Sequence, residues 1–173
     1  MDLAAHIRNV PDWPKPGVQF KDVTTLLQAP DAMRQIVATW KERYAPQEIE
    51  GIVAADARGF IFGAPLAYEL HVPLVPVRKT GKLPAETIAE DYELEYGTAR
   101  MEMHVDALRP GQRVILLDDL LATGGTMAAA ARLARRLGAE IVEAAFVVEL
   151  PPLGGRKALE PMPVHSLVTF MVD

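Results

Sequence analysis

The chain is expected to fold as α/β, a doubly wound, mainly parallel sheet. Two observations carry this. Twice, a short apolar run of strand length passes through a polar corner straight into a helix-like stretch: 51–55 through Asp56, Ala57, Arg58 and Gly59, and 114–117 through 118–126. Further apolar runs at 74–77, 141–148 and 164–172 alternate with helical or loop segments, the pattern of parallel strands joined by crossovers. With 173 residues, half of them apolar, the chain is long enough for one core, so 1–173 is read as a single domain.

Residues 2–9 read as a short helix. Pro11, Pro14 and Pro16 then enforce an extended arm that wraps the core without entering the sheet, and 1–30 is taken as this arm or hood. Met33, Ile36, Val37 and Trp40 recur at helical spacing, predicting a helix over 31–44 with Asp31 as N-cap and Trp40 in the core. The helix after Arg58 runs over 60–70, and Pro65 implies a kink or a later start. Pro73 and Pro76 suggest that strand 74–77 lies at an edge or is just starting. Two alternating runs around Gly97-Thr98 predict a hairpin with a type II′ turn, a weakly held flap over 85–105 with Glu95 and Tyr96 near its tip. A helix at 127–137 ends in Arg132, Arg135 and Arg136, read as structural, with Gly138 just past its end.

The chemistry centres on 114–126. Asp118 and Asp119 precede the loop Ala122-Thr123-Gly124-Gly125-Thr126, which opens into a helix. Free N–H groups and the helix dipole make that an anion site, and the threonines add hydroxyl donors. No lysine follows the glycines and GxGxxG is absent, so it is neither a P-loop nor a dinucleotide fingerprint. Carboxylates beside a phosphate site suit a ligand with hydroxyls close to its phosphate, such as a ribose 5-phosphate. In open α/β sheets ligands collect at the carboxyl ends of strands, so the corner at 56–59 should face the same crevice. Arg58 there reads as an anion ligand, and Arg78, Lys79 and Lys82 as a clamp for pyrophosphate.

Composition sets bounds. There is no cysteine, so disulfides and thiolate chemistry are excluded. Net charge is −5, against sequence-independent nucleic-acid binding. The first residues lack a basic start and an apolar segment, no apolar run approaches a membrane span, and a cytoplasmic protein without membrane partners is expected.

The acidic pair with its Thr-Gly-Gly-Thr loop resembles the signature of type I phosphoribosyltransferases. The segments 16–22, 55–63, 78–84 and 94–97 fall in the order seen in adenine phosphoribosyltransferases, so the resemblance covers nearly the whole chain. It implies the type I phosphoribosyltransferase fold and a purine-salvage transferase: adenine and 5-phosphoribosyl 1-pyrophosphate give AMP and pyrophosphate, with Mg2+ bound mainly through the pyrophosphate and no direct protein ligand assigned. It implies that Ala122, Thr123, Gly124, Gly125 and Thr126 hold the 5′-phosphate and that Asp118 and Asp119 bind the ribose. Asp56, Ala57, Arg58, Arg78, Lys79 and Lys82 meet pyrophosphate, the Asp56–Ala57 bond being cis. Phe20 stacks on adenine, with the backbone groups of Gln19 and Lys21 reading its edge. Glu95 is the proton partner of the purine, with Arg58 also catalytic. A homodimer is expected. Lys21, Gln19 and Ala57 depart from the residues of some relatives, which bears on adenine affinity if side chains make those contacts. The rivals are a transferase for 6-oxopurines, a nucleic-acid-binding sensor and a phosphate binder without turnover.

Overall fold

The computed structural model describes residues 1–93 and 97–171. Its strands are β1 (Arg8–Pro11), β2 (Gln19–Asp22), β3 (Gly51–Ala55), β4 (Leu74–Lys79), β5 (Thr87–Glu93), β6 (Thr98–His104), β7 (Arg113–Leu121), β8 (Glu140–Glu149) and β9 (Val164–Thr169). Its helices are α1 (Thr24–Leu27), α2 (Pro30–Tyr44), α3 (Arg58–Leu70), α4 (Gly125–Arg136) and α5 (Gly155–Ala158). Seven strands form one sheet in the order β5-β6-β4-β3-β7-β8-β9. The five from β4 to β9 in that order run parallel to one another, and β6 and β5 extend the sheet antiparallel beyond β4.

The pleat of β7 divides the core. Val114 and Leu116 pack with α4 on one face, while Ile115 and Leu117 pack with α2 and α3 on the other. A strand buried on both faces needs a continuous apolar run, which is why 114–117 carries no alternation. Trp40 and Phe62 are fully buried on the α2–α3 side.

Several expectations are corrected. Residues 2–9 are not one helix: a 3-10 turn at Ala4–His6 leads into β1, which pairs with β2 in a separate two-stranded ribbon. The arm stays out of the main sheet, as its prolines imply. Asp31 does not cap α2. Ala29 holds that position with Pro30 in the first turn, and Asp31 pairs with Arg34 instead. Helix α3 runs unbroken through Pro65, which lies on the outward side with Ile61 and Tyr68. Strand β4 is internal, not an edge, but β6 pairs only with its Arg78 and Lys79 end, leaving the Pro76 stretch without a strand on that side. The closing strand stops at Thr169.

The 85–105 hairpin departs most from its sequence reading. Glu93 pairs with Thr98, so four residues, 94–97, connect the strands in place of a two-residue turn. The hairpin body is firmly docked: Met101 and Met103 are buried, and Ile88 and Tyr92 pack on the α4 side. Arg132 and Arg136 bind Glu90 and the carbonyls of Asp91 and Ala89. Glu95 and Tyr96 lie outside the described residues. Gly138 follows α4 with its N–H on Arg135 O while Ala139 N–H reaches Ala134 O, the paired bonds of a Schellman end.

Candidate active site

The central corner begins inside a strand. Asp118 and Asp119 belong to β7, which continues to Leu121, rather than following it. Their backbones are therefore fixed by the sheet. Residues 122–124 then turn the chain into α4, whose first residue is Gly125. Gly124 has φ +87°, and a Cβ there would stand 2.9 Å from Gly155 O, so both its conformation and its packing call for glycine. A small cavity of about 90 Å³ is lined by Asp118, the loop from Leu121 to Met127, and Phe146. The loop and one carboxylate thus share one space at the N-terminus of a three-turn helix, where backbone N–H groups lack intrahelical partners.

The two corners meet, as their places in the sheet predict. Gly59, in the first turn of α3, approaches β7 so closely that a Cβ would lie 2.9 Å from Leu117 O and 3.1 Å from Asp118 Oδ1. Arg58, the first residue of α3, donates from Nε to Asp119 Oδ2. Asp119 is almost fully enclosed and Arg58 half exposed. The expected anion ligand is therefore paired with a carboxylate. Desolvation works against the Arg58 charge, but Asp119 first, then Asp118 and Asp22, hold its pKa above the ordinary value. Burial pushes the Asp118 carboxyl well above the usual carboxylate range, and the adjacent Asp119 charge adds to this. Asp118 Oδ1 also accepts the Asp119 N–H at 2.8 Å.

The peptide bond Asp56–Ala57 is cis. Asp56 accepts from Arg78 Nε at 3.2 Å, tying the end of β4 to the corner of β3. The Arg78 guanidinium stands 5.8 Å from the centre of the Phe60 ring. Lys79 at the end of β4 and Lys82 on the turn that follows are exposed, and Glu102 of β6 accepts the Gly81 N–H at 3.1 Å, seating that turn on the hairpin. Tyr92 and Glu93 lie beside the loop: a Cβ on Gly125 would meet the Tyr92 ring at 3.1 Å and Glu93 O at 3.5 Å. The strand leading to Glu95 thus ends against the anion corner.

On the arm, Phe20 is half-buried and meets Trp13 edge to face, ring centres 4.4 Å apart. Both line a cleft of about 520 Å³ with Arg8, Val10 and Asp22. Gln19 and Lys21 point to the other side of the ribbon. Asn9 links them, and the Lys21 ammonium sits 4.8 Å over the Phe170 ring. Asp22 is held at about 2 by its hydrogen bonds from Thr24. Trp13 escaped the sequence reading because a proline-flanked aromatic in an arm has no periodicity to place it. Gly155, which packs under the loop, escaped because its partners lie some thirty residues earlier. Among the described residues no group of three or more His, Cys, Asp or Glu side chains is placed to hold a metal ion, and no helix is long and apolar enough to cross a membrane.

Residues 22–167 match the model of the phosphoribosyl transferase domain family. An adenine phosphoribosyltransferase of Marinobacter nauticus is 57% identical over 169 residues, 96% of this chain and 94% of that protein. The chain belongs to the adenine phosphoribosyltransferase family. Among solved members, the enzyme of Thermoanaerobacter pseudethanolicus superposes with a TM-score of 0.94 at 47% identity, covering 98% of each chain. The Saccharomyces cerevisiae enzyme, solved with D-2,5-dideoxy-2,5-imino-altritol 1,6-bisphosphate and adenine, gives 0.92 at 38% identity over 96% of each chain. The family's doubly wound sheet is the one described above, with the corners of β3 and β7 side by side.

Proposed function

We propose that the chain transfers the phosphoribosyl group of 5-phosphoribosyl 1-pyrophosphate to adenine, releasing AMP and pyrophosphate, as a purine-salvage enzyme. The observation that carries this reading is the joint corner: a helix-start anion cavity shared by Asp118 and the 122–126 loop, bridged through Asp119 to Arg58. A bare phosphate site has no use for two carboxylates; a sugar with hydroxyls next to its phosphate does.

In this reading Ala122, Thr123, Gly124, Gly125 and Thr126 take the 5′-phosphate through backbone N–H and hydroxyl groups. Asp118 and Asp119 accept from the ribose hydroxyls. Arg58 leaves Asp119 when the sugar arrives and, with Arg78, Lys79, Lys82 and the backbone of Asp56 and Ala57, meets the pyrophosphate. The transition state is positive at the anomeric carbon and negative on the departing pyrophosphate. Cations aimed at that charge lower the barrier, and carboxylates near the ribose tolerate the positive end. Mg2+ accompanies the pyrophosphate and would supply further neutralisation of the leaving group. Such an ion is commonly held by substrate phosphates and one or two carboxylates, and Asp118 and Asp119 are oxygen donors of that type.

Phe20 offers a face to adenine, and the backbone groups of Gln19 and Lys21, whose side chains turn to the other side of the ribbon, read its edge under the arm formed by 1–30. Glu95 exchanges the purine proton, and the 85–105 hairpin, whose sequence includes Tyr96, screens the reacting bond from water. The docking of Tyr92 and Glu93 beside Gly125 supports this assignment. The chain acts as one domain in a homodimer. Ile61 and Tyr68, apolar and exposed on α3, suit a subunit contact. The deciding experiment measures pyrophosphate release from 5-phosphoribosyl 1-pyrophosphate and Mg2+ with adenine, hypoxanthine or guanine. Release with adenine is expected. Preference for an oxopurine, or no release with any base, overturns the reading.

A further inference from the structure

The loop that faces the anion cavity is held from behind by a segment to which the proposed reaction assigns no role. A Cβ on Gly155 would lie 2.4 Å from Ala122 O and 2.7 Å from Leu121 Cδ1. From the other direction, a Cβ on Gly124 would meet Gly155 O at 2.9 Å and the Ala158 Cβ at 3.2 Å. Loop and α5 therefore touch backbone to backbone. A helix of four residues has no intrinsic stability to hold such a position. What fixes it is the next side chain. Arg156 donates from Nε and Nη2 to the two oxygens of Glu149, at 2.9 and 2.6 Å, and from Nη1 to Val164 O at 2.8 Å. Glu149 is 4% exposed, ends β8, and also accepts from Ser166 of β9. Its neighbour Leu150 donates to Leu121 O at 3.0 Å, one residue before the loop.

We propose that Glu149 and Arg156 are positioning residues for the 5′-phosphate: their two-pronged ion pair presses Gly155 against Ala122 and Gly124 and so fixes the direction of the loop's N–H groups. The inference rests on the reading of 122–126 as the phosphate loop. An anion held by backbone donors gains from them only when they are fixed before it arrives. Lysine at 156 keeps the charge but loses the planar fork, and glutamine at 149 keeps the shape but loses the charge. Both should loosen the loop without touching the pyrophosphate corner, which is built on β3, α3 and β4.

The test is calorimetric titration of the full chain with two probes, ribose 5-phosphate and inorganic pyrophosphate with Mg2+. Wild type is compared with Glu149→Gln, Arg156→Lys and the neighbouring surface change Lys157→Ala. The first two should lose about tenfold in ribose 5-phosphate affinity, equivalent to about 1.4 kcal/mol, and keep their pyrophosphate affinity. In turnover, KM for 5-phosphoribosyl 1-pyrophosphate should rise while kcat holds. Lys157→Ala should match wild type on every measure. Equal weakening of both probes would mean general loosening and would overturn the proposal, as would unchanged ribose 5-phosphate affinity. If wild type itself fails to bind ribose 5-phosphate, the phosphate-loop reading fails first, visibly and before any variant is compared. Gly155→Ala, if it folds, should show the same selective loss.

Discussion

Replacing Gly59 by alanine tests whether the meeting of the two corners matters. The added Cβ would stand 2.9 Å from Leu117 O, 3.1 Å from Asp118 Oδ1 and 3.3 Å from Asp118 Cα. Two of these are backbone atoms of β7, where Leu117 is laddered to both β3 and β8 and Asp118 to β8. The strand cannot withdraw, so the start of α3 must lift. Forcing a methyl group into a packed site costs about 1–3 kcal/mol. Alanine recovers up to about 1 kcal/mol of helix propensity, less in a first turn. A net loss of about 1–2 kcal/mol lowers Tm by roughly 2–8 °C in a domain of this size. The functional loss should be much larger, because α3 starts with Arg58. A displacement of about 1 Å at a positioning element costs about a hundredfold in rate. Gly63→Ala is the control: its Cβ would press on the Ala54 Cβ at 3.0 Å and Leu74 Cδ1 at 3.2 Å, in the core and away from the corner. Thermal unfolding and adenine-dependent turnover should show similar stability losses in the two variants but a steep activity loss only in Gly59→Ala. Near wild-type turnover in Gly59→Ala, or equal losses in both, would refute the reasoning.

Other outcomes are expected. Glu95→Ala should lower turnover far more than affinity for 5-phosphoribosyl 1-pyrophosphate, measured by steady-state kinetics and titration; equal turnover removes Glu95 from catalysis. Asp118→Asn with Asp119→Asn should weaken ribose 5-phosphate binding. Asp118→Asn alone should do less, since burial already favours its neutral form; unchanged affinity in the double variant leaves the pair only a structural part. Acid should destabilise the fold. Hydrogen bonds from Arg156 hold Glu149 below its ordinary 4.5; at Glu143 desolvation opposes, but Arg43 and Tyr44 prevail and its pKa is also lowered. Carboxyls depressed in the folded state contribute stability that is present above 4.5 and lost as pH falls through their folded values. The urea midpoint should therefore drop between pH 6 and pH 3, on the order of the range set by these carboxyls; a midpoint that rises with acid contradicts the assignment.

By itself the sequence determined the doubly wound class, the strand cores at 51–55 and 114–117, the course of α2, and the family signature around Asp118 to Thr126. These are legible because apolar period, glycine loops and prolines act over a few residues, where the cause and its mark in the sequence lie together. The resemblance supplied the expected roles of Glu95, Phe20 and the 78–82 cations, which local pattern alone leaves open. Only the tertiary structure decided that Arg58 pairs with Asp119, that Asp118 and Asp119 are strand residues, and that the 85–105 hairpin is held by Met101 and Met103 in the core and by Arg132 and Arg136 of α4. It also decided that Gly155 packs against the loop, that Arg156 pairs with Glu149, and that Glu143 bonds Arg43 and Tyr44 about a hundred residues away. The physical reason is common to all of these: each depends on which surfaces meet once the sheet has formed. A hydrophobic hairpin face two residues long, or a glycine facing a carbonyl from another element, has no period to reveal it before the partner is in place.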